Sequence, residues 1–234
     1  MGDIRDVVGE VTDLIPVQNV LLSLSDKFRL GQLVDGLIAQ NSNIRLISTG
    51  GTYKVLEGLL GSKASARYLL SVEEYTGFPE MEGGLVKTLH PKVHAGILGE
   101  RNNPAHQKYL ERMGGSFIDL VVVNLYPFKQ VIAAEDCTFE QARGNIDIGG
   151  PTMLRGAAKN FLGCTPLCDP NDYSIFLEHL RENDGATTFD FRKMQARKAF
   201  SQTAIYDAAI NQYLMDQFDR HEDEIREFYF GDAA

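Results

Sequence analysis

The chain is poor in cysteine, in long apolar runs and in positive charge, and each shortage removes a class of function. Cys137, Cys164 and Cys168 are the three thiols among 234 residues. They are too few and too unevenly spaced for a disulfide framework, and an odd number suits a reducing compartment. Free buried thiols are the favoured reading over a metal site, because no second cysteine or histidine pair stands near Cys164 and Cys168 at ligand spacing. The longest uncharged stretch near the start, residues 14–25, holds 12 residues and includes Pro16, Gln18 and Asn19, whereas a membrane helix needs roughly 20 apolar residues. A secretory signal is also excluded, since Asp3, Asp6, Glu10 and Asp13 occupy the place of its basic region. A cytoplasmic protein is the expectation. Lys and Arg number 23 against 32 Asp and Glu, a net charge of −9, of which residues 215–234 carry −5. That balance excludes a nucleic-acid partner, which wants a basic face. It leaves room for a few lysines to hold a small phosphorylated metabolite.

What is present is a globular composition, 44% hydrophobic and 24% charged, in which strand-length apolar runs alternate with stretches of helical period. Val20 to Leu24 reads as a strand and Leu30 to Gln40 as a helix with Leu30, Leu33, Val34 and Leu37 on one face. Ile44 to Ser48 is a second strand, followed by the turn Thr49–Thr52 and a short helix carrying Val55, Leu56 and Leu59. Ala66 to Leu70 gives a third strand. Ile118 to Leu125, with Val121, Val122 and Val123 in succession, reads as a central parallel strand buried on both faces. Thr165 to Cys168 is the last strand, and Asp169 and Pro170 start a helix carrying Ile175, Phe176, Leu177 and Leu180. Two regions break the alternation. Residues 77–99 read as a long functional loop, and Phe191 to Phe218 as a long helix broken near Ser201, with Phe200, Ala204, Ala208 and Tyr213 close to one face. The pattern predicts an α/β layered fold in one domain: a lead-in (1–18), an α/β core (19–187) and a helical extension with an acidic tail (188–234).

Four segments carry candidate chemistry. Ser23, Ser25 and Lys27, together with Thr49, Gly50, Gly51 and Thr52, follow strands and open helices, so they fall at the carboxyl edge of a parallel sheet, where ligands bind. Glycines and a helix start favour a phosphate there, although a Gly-Gly-Thr turn by itself is an ordinary turn. Lys87 and Thr88 lie between glycines and a proline, which fixes the lysine as a donor to an oxygen anion. His90 and His94 stand four apart, but Pro91 interrupts them and no third ligand is evident, so structural hydrogen bonding is favoured over zinc. Asn124 and Tyr126 end the most buried strand, as readers of polar ligand groups or as part of an aromatic plug. Finally Asp147, Gly149, Gly150, Arg155 and Lys159 belong to a glycine-started helix, with Arg155 and Lys159 one turn apart.

In order along the chain, SLSDK (23–27), STGGT (48–52), TGFPEM (76–81), VKTLHPKVHAGIL (86–98), NLYPF (124–128), IDIGGPTMLRGAAKN (146–160) and KAFSQTAIYDAAI (198–210) resemble the inosine monophosphate cyclohydrolase domain of the bifunctional purine-biosynthesis enzymes. The resemblance implies a fold similar to methylglyoxal synthase, a mostly parallel central sheet in three layers. It also implies ring closure of 5-formamidoimidazole-4-carboxamide ribotide to inosinate with loss of water, using no metal or organic cofactor. On this likeness Lys87 orients and polarises the formyl group, and Tyr126, Asp147 and Lys159 serve the amide and the leaving water. Ser23, Ser25, Lys27, Thr49, Gly50, Gly51 and Thr52 hold the phosphate and ribose, with Thr88, Asn124, Gly149, Gly150 and Arg155 as further substrate contacts. A homodimer is implied as well.

The chain departs from the family pattern at Leu85, where arginine is usual, and at Phe28 and Arg29, where a small Thr and Gly are usual. It ends about where a formyltransferase domain would begin, which implies a separate transformylase. A non-catalytic nucleotide-effector module of the same fold is the alternative, and a phosphate elimination like that of methylglyoxal synthase has only Asp26 to support it.

Overall fold

The computed structural model describes residues 11–81 and 86–231. In chain order the elements are β1 (Ile15–Pro16), β2 (Asn19–Leu24), α1 (Leu30–Gln40), β3 (Arg45–Ser48), α2 (Gly50–Tyr68), β4 (Leu69–Ser71), α3 (Val72–Thr76), α4 (Pro91–Leu98) and α5 (Pro104–Arg112). They continue with β5 (Leu120–Asn124), α6 (Phe128–Val131), α7 (Phe139–Gly144), α8 (Gly149–Lys159), β6 (Thr165–Leu167), α9 (Tyr173–Glu182), β7 (Ala186–Thr187) and α10 (Phe189–Phe230).

Five strands form a parallel sheet in the order β4-β3-β2-β5-β6, with Val20 opposite Leu46 on one side and Leu120 on the other. Alternation along these strands feeds two cores. Val20, Leu22, Leu46, Leu120 and Val122 face one layer with α1 and α9, while Leu21, Ile47, Val121 and Val123 face the other with α4, α8 and α10. The Val-rich β5 is buried on both faces for this reason. The fold is thus the α/β three-layer arrangement with a helical C-terminal region. Among the described residues, no helix is long and apolar enough to cross a membrane.

Several local expectations need correction. Residues 66–68 close α2, so the third strand starts only at Leu69. α2 is longer than expected and bends at Gly61 (φ 69), and of its apolar residues only Leu56 is buried, Val55 and Leu59 being exposed. Ile175 likewise points outward, and a 3-10 turn, Pro170–Asp172, precedes α9. The supposed loop 77–99 contains α4, started by Pro91 and capped by the His90 ring, which accepts from Lys92 N at 3.1 Å; Glu82, Gly83, Gly84 and Leu85 lie outside the described residues.

The C-terminal helix runs unbroken through Ser201 and departs from helical geometry at His221 instead. Its inward face is also different from the apolar one expected. It consists of Phe191, Arg192, Gln195, Ala196, Ala199, Thr203 and Tyr206, while Phe200 is exposed. The described part of the lead-in belongs to the fold, since β1 pairs antiparallel with β7 and the Thr12 and Asp13 carbonyls bond the buried Arg192 side chain. Cys164 and Cys168 are buried and Cys137 is half-buried, all three as free thiols. Burial pushes the Cys168 thiol up to about 11.

Candidate active site

The carboxyl ends of β2, β3 and β5 converge, and the chain between them is tied down by its own polar groups. Asn124 Oδ1 accepts from the amides of Ser25 at 2.6 Å and Asp26 at 3.0 Å, while its Nδ2 donates to the Asp26 carbonyl. The Thr52 hydroxyl bonds both the amide and the carbonyl of Leu24. Lys27 Nζ donates to the carbonyls of Leu24 at 2.7 Å and Ser25 at 2.9 Å. Asn124, Thr52 and Lys27 therefore build the floor of the site; all three spend most of their capacity on backbone, and Lys27 keeps one donor to spare.

Thr49 begins α2, but its hydroxyl donates to Ser23 Oγ at 3.1 Å and leaves the first helical amides without a side-chain cap. Open space lies over Gly51, and Gly50 holds φ +26. Uncapped amides at a helix start form an anion site. A Cβ at Gly50 would stand 2.8 Å from Lys87 Nζ, so glycine is what lets that ammonium reach the start of α2. Lys87 is largely enclosed and ion-paired with Glu73 at 3.6 Å and with Glu80. The residue before it, Val86, has φ 65, a costly conformation for a β-branched side chain.

The far wall is the start of α8, which also has no side-chain cap at its Ile148 N-cap. Thr88 is buried against it, and a Cβ at Gly149 would collide with Thr88 Oγ1 at 2.6 Å. Asp147 folds back over the helix start. Its Oδ1 accepts from Gly150 N at 2.9 Å, with the amides of Tyr126 and Gly149 also contributing. Burial raises the Asp147 carboxyl above the ordinary aspartate range, against those donors. Tyr126 stands half-exposed at the mouth.

Two adjoining hollows, about 420 and 360 Å³, share Ser23, Thr49 and Asp147 and so form one cleft. The first is lined by Lys87, Thr88, Gly149, Gly150 and a set of apolar side chains; the second by Ser25, Lys27, Gly51, Thr52, Asn124 and Tyr126. This combined size suits a nucleotide-sized ligand. The apolar wall of Met81, Val86, Leu89, Ile146, Ile148 and Met153 was not read from the sequence, since apolar residues in turns carry no periodic signal. Glu73 and Glu80, the partners of Lys87, gave no signal either.

Arg155 and Lys159 do not join the cleft. A helix between two parallel strands runs back toward the strands' starts, which puts Lys159 about 15 Å along α8 from Gly149 at 1.5 Å per residue. It is exposed there, next to Asn160, which bonds the Ile97 and Gly99 carbonyls. Arg155 is exposed over the Phe200 ring, 5.6 Å from its centroid. Arg29 also lies outside, stacked on Phe28 at 4.8 Å, and Leu85 is not among the described residues.

The chain is thus an α/β domain with a polar cleft at the carboxyl edge of its parallel sheet, flanked by the starts of α2 and α8 and by a largely enclosed lysine. Two family profiles match in succession: an MGS-like domain over residues 30–152 and the AICARFT/IMPCHase bienzyme over residues 157–231. The chain belongs to the MGS-like domain family. It is 47% identical over 198 residues to the bifunctional purine biosynthesis protein PurH of Magnetococcus marinus, covering 85% of this chain and 36% of that protein. Against the protein of the same name from Bacillus cytotoxicus, identity is 45% over 208 residues, with 89% and 39% covered. The chain thus spans a little over a third of the length of these relatives. Among solved structures, the crystal structure of ForH superposes with a TM-score of 0.69 at 33% identity, covering 83% of this chain and 97% of that one.

Proposed function

We propose that the domain is an IMP cyclohydrolase, closing 5-formamidoimidazole-4-carboxamide ribotide to inosinate with loss of water. The observation that carries this reading is the convergence of Lys87, Asp147, the uncapped start of α2 and the start of α8 on one cleft, in a chain whose relatives are purine-biosynthesis enzymes.

In this reading the α2 start, Ser25, Thr49, Gly51 and Lys27 hold the phosphate and ribose, so the base extends toward Lys87 and Asp147. The carboxamide nitrogen bonds to the formyl carbon, and its proton moves to a base. The oxygen of the tetrahedral adduct takes up that proton, its C–O bond breaks, and hydroxide leaves as water with a second proton from the former formamide nitrogen, whose electron pair closes the C=N bond. Both reacting groups sit on one ring, so holding them face to face removes much of the barrier. Lys87 donates to the oxygen that gains charge. The raised Asp147 carboxyl suits proton exchange nearer neutral pH than an ordinary aspartate, and Tyr126 supplies a donor at the mouth.

The site of action in this reading is the cytoplasm. Pairing of two chains also belongs to it, supported by the exposed apolar side chains Met194, Ile205, Met215 and Phe218 on α10. The test is the absorbance change on adding the formamido ribotide to purified protein. Wild type should turn over and Lys87→Met should lose about 10³-fold in kcat/KM, roughly 4 kcal/mol of transition-state stabilisation. A wild-type protein with no turnover would end the reading.

A further inference from the structure

Tyr206 lies 59 positions after Asp147, on α10, and reaches the cleft from behind. Its ring is buried and meets Phe128 edge-on, with centroids 6.3 Å apart. Its hydroxyl accepts the backbone N–H of Asp147 at 2.8 Å. One side chain of the C-terminal helix therefore touches both the segment following Tyr126 and the residue that carries the cleft carboxylate.

We propose that Tyr206 is a positioning residue for ring closure, acting through Asp147; the inference rests on the cyclohydrolase reading. Asp147 stands between α7 and α8, so its N–H belongs to no helical ladder. The tyrosine hydroxyl fixes its backbone while Gly150 N fixes its carboxylate at 2.9 Å. Without the hydroxyl, a half-buried N–H loses its partner and the segment is held at its carboxylate end alone. A shift of about 1 Å in a reacting group is enough to slow chemistry strongly. Because Tyr206 is outside the linings of both hollows, its loss should spare nucleotide binding.

Tyr206→Phe tests this, since it keeps the ring against Phe128 and removes one oxygen. We expect kcat to fall about tenfold, equivalent to about 1.4 kcal/mol, with KM within about twofold and faster hydrogen exchange at the Asp147 amide. In an Asp147→Asn background the same change should alter kcat less than about twofold, because a residue acting through another has nothing left to act on. An unchanged kcat overturns the proposal, as does a full tenfold loss that persists in the Asp147→Asn background. If wild type shows no ring closure, the functional reading is what has failed. Exchange at the Asp147 amide then decides the positioning by itself, and an amide equally protected in both proteins would refute it.

Discussion

The two edges of the parallel sheet both carry buried charge, and they treat it in opposite ways. At the amino edge, Asp119 is 2% exposed, accepts from the amides of Gln18 and Asn19 and pairs with Arg101, whose remaining donors go to the Gly163 carbonyl. Nearby Arg192 is fully buried and donates to the carbonyls of Asp13, Phe161, Leu162 and Thr187. At the carboxyl edge, the start of α2 lacks a side-chain cap, and Lys87 and Asp147 face a cleft. Charge at one end is paired off inside the fold; at the other Lys87, although ion-paired with Glu73 and Glu80, lies with Asp147 on the lining of an open cleft. The same residue types therefore sit sealed at one edge and on an open cleft at the other, a distinction set by where the helices start and stop.

The largest effect expected from breaking this contrast is at Arg192. Burial lowers its pKa to about 10, and carbonyls on several segments accept from the buried guanidinium. Arg192→Ala leaves those carbonyls unpaired around a cavity and should cost about 4 kcal/mol in urea unfolding. Arg192→Lys should recover little, because one ammonium cannot span acceptors on the lead-in, the α8–β6 connection and β7. A loss below about 1 kcal/mol would show the amino edge to be no keystone.

Arg192 also marks where sequence reading ran out. The five main strands, α1 and the carboxyl-edge position of Ser23, Thr49, Lys87, Tyr126 and Asp147 were legible because apolar runs and glycine turns encode them locally. The inward face of α10 was not, since Arg192, Gln195, Thr203 and Tyr206 are polar by type and buried by partner, and hydropathy registers only type. Helix α4 was hidden for a related reason: glycines and Pro91 suggest a loop, while the His90 cap that makes them a helix start is a side-chain contact. Lys159 was placed in the site by its helical spacing from Arg155 and by motif, and only the direction of α8 reveals its distance from Lys87.

A smaller stability change with a large change in activity is expected at Asp147. Its carboxyl pKa is raised in the fold, mainly by burial, so ionising it costs the native state. That cost is absent below the unfolded aspartate value, about 3.9, and appears as pH rises past it. Asp147→Asn accepts the same Gly150 N–H and never ionises. At pH 7 it should melt no lower than wild type while kcat falls about 10²-fold. The acid limb of the wild-type kcat profile should also lie above the ordinary aspartate range and vanish in the variant. A variant that is both active and less stable would place Asp147 among the structural charges, erasing the contrast between the edges.

The smallest effect is predicted for Lys159→Ala, and it is the sharpest on placement. The lysine is exposed at the amino-edge end of α8 and lines neither hollow, and an exposed cation contributes at most about 1 kcal/mol to stability. Within one chain its ammonium cannot reach a nucleotide held at the opposite edge, so kcat/KM should change less than about threefold, against about 10³-fold for Lys87→Met. A loss approaching that of Lys87 would require the ammonium to come from a second copy. Mixing Lys159→Ala with Lys87→Met would then restore activity, because each chain would supply the lysine its partner lacks, whereas sites complete within one chain gain nothing from mixing.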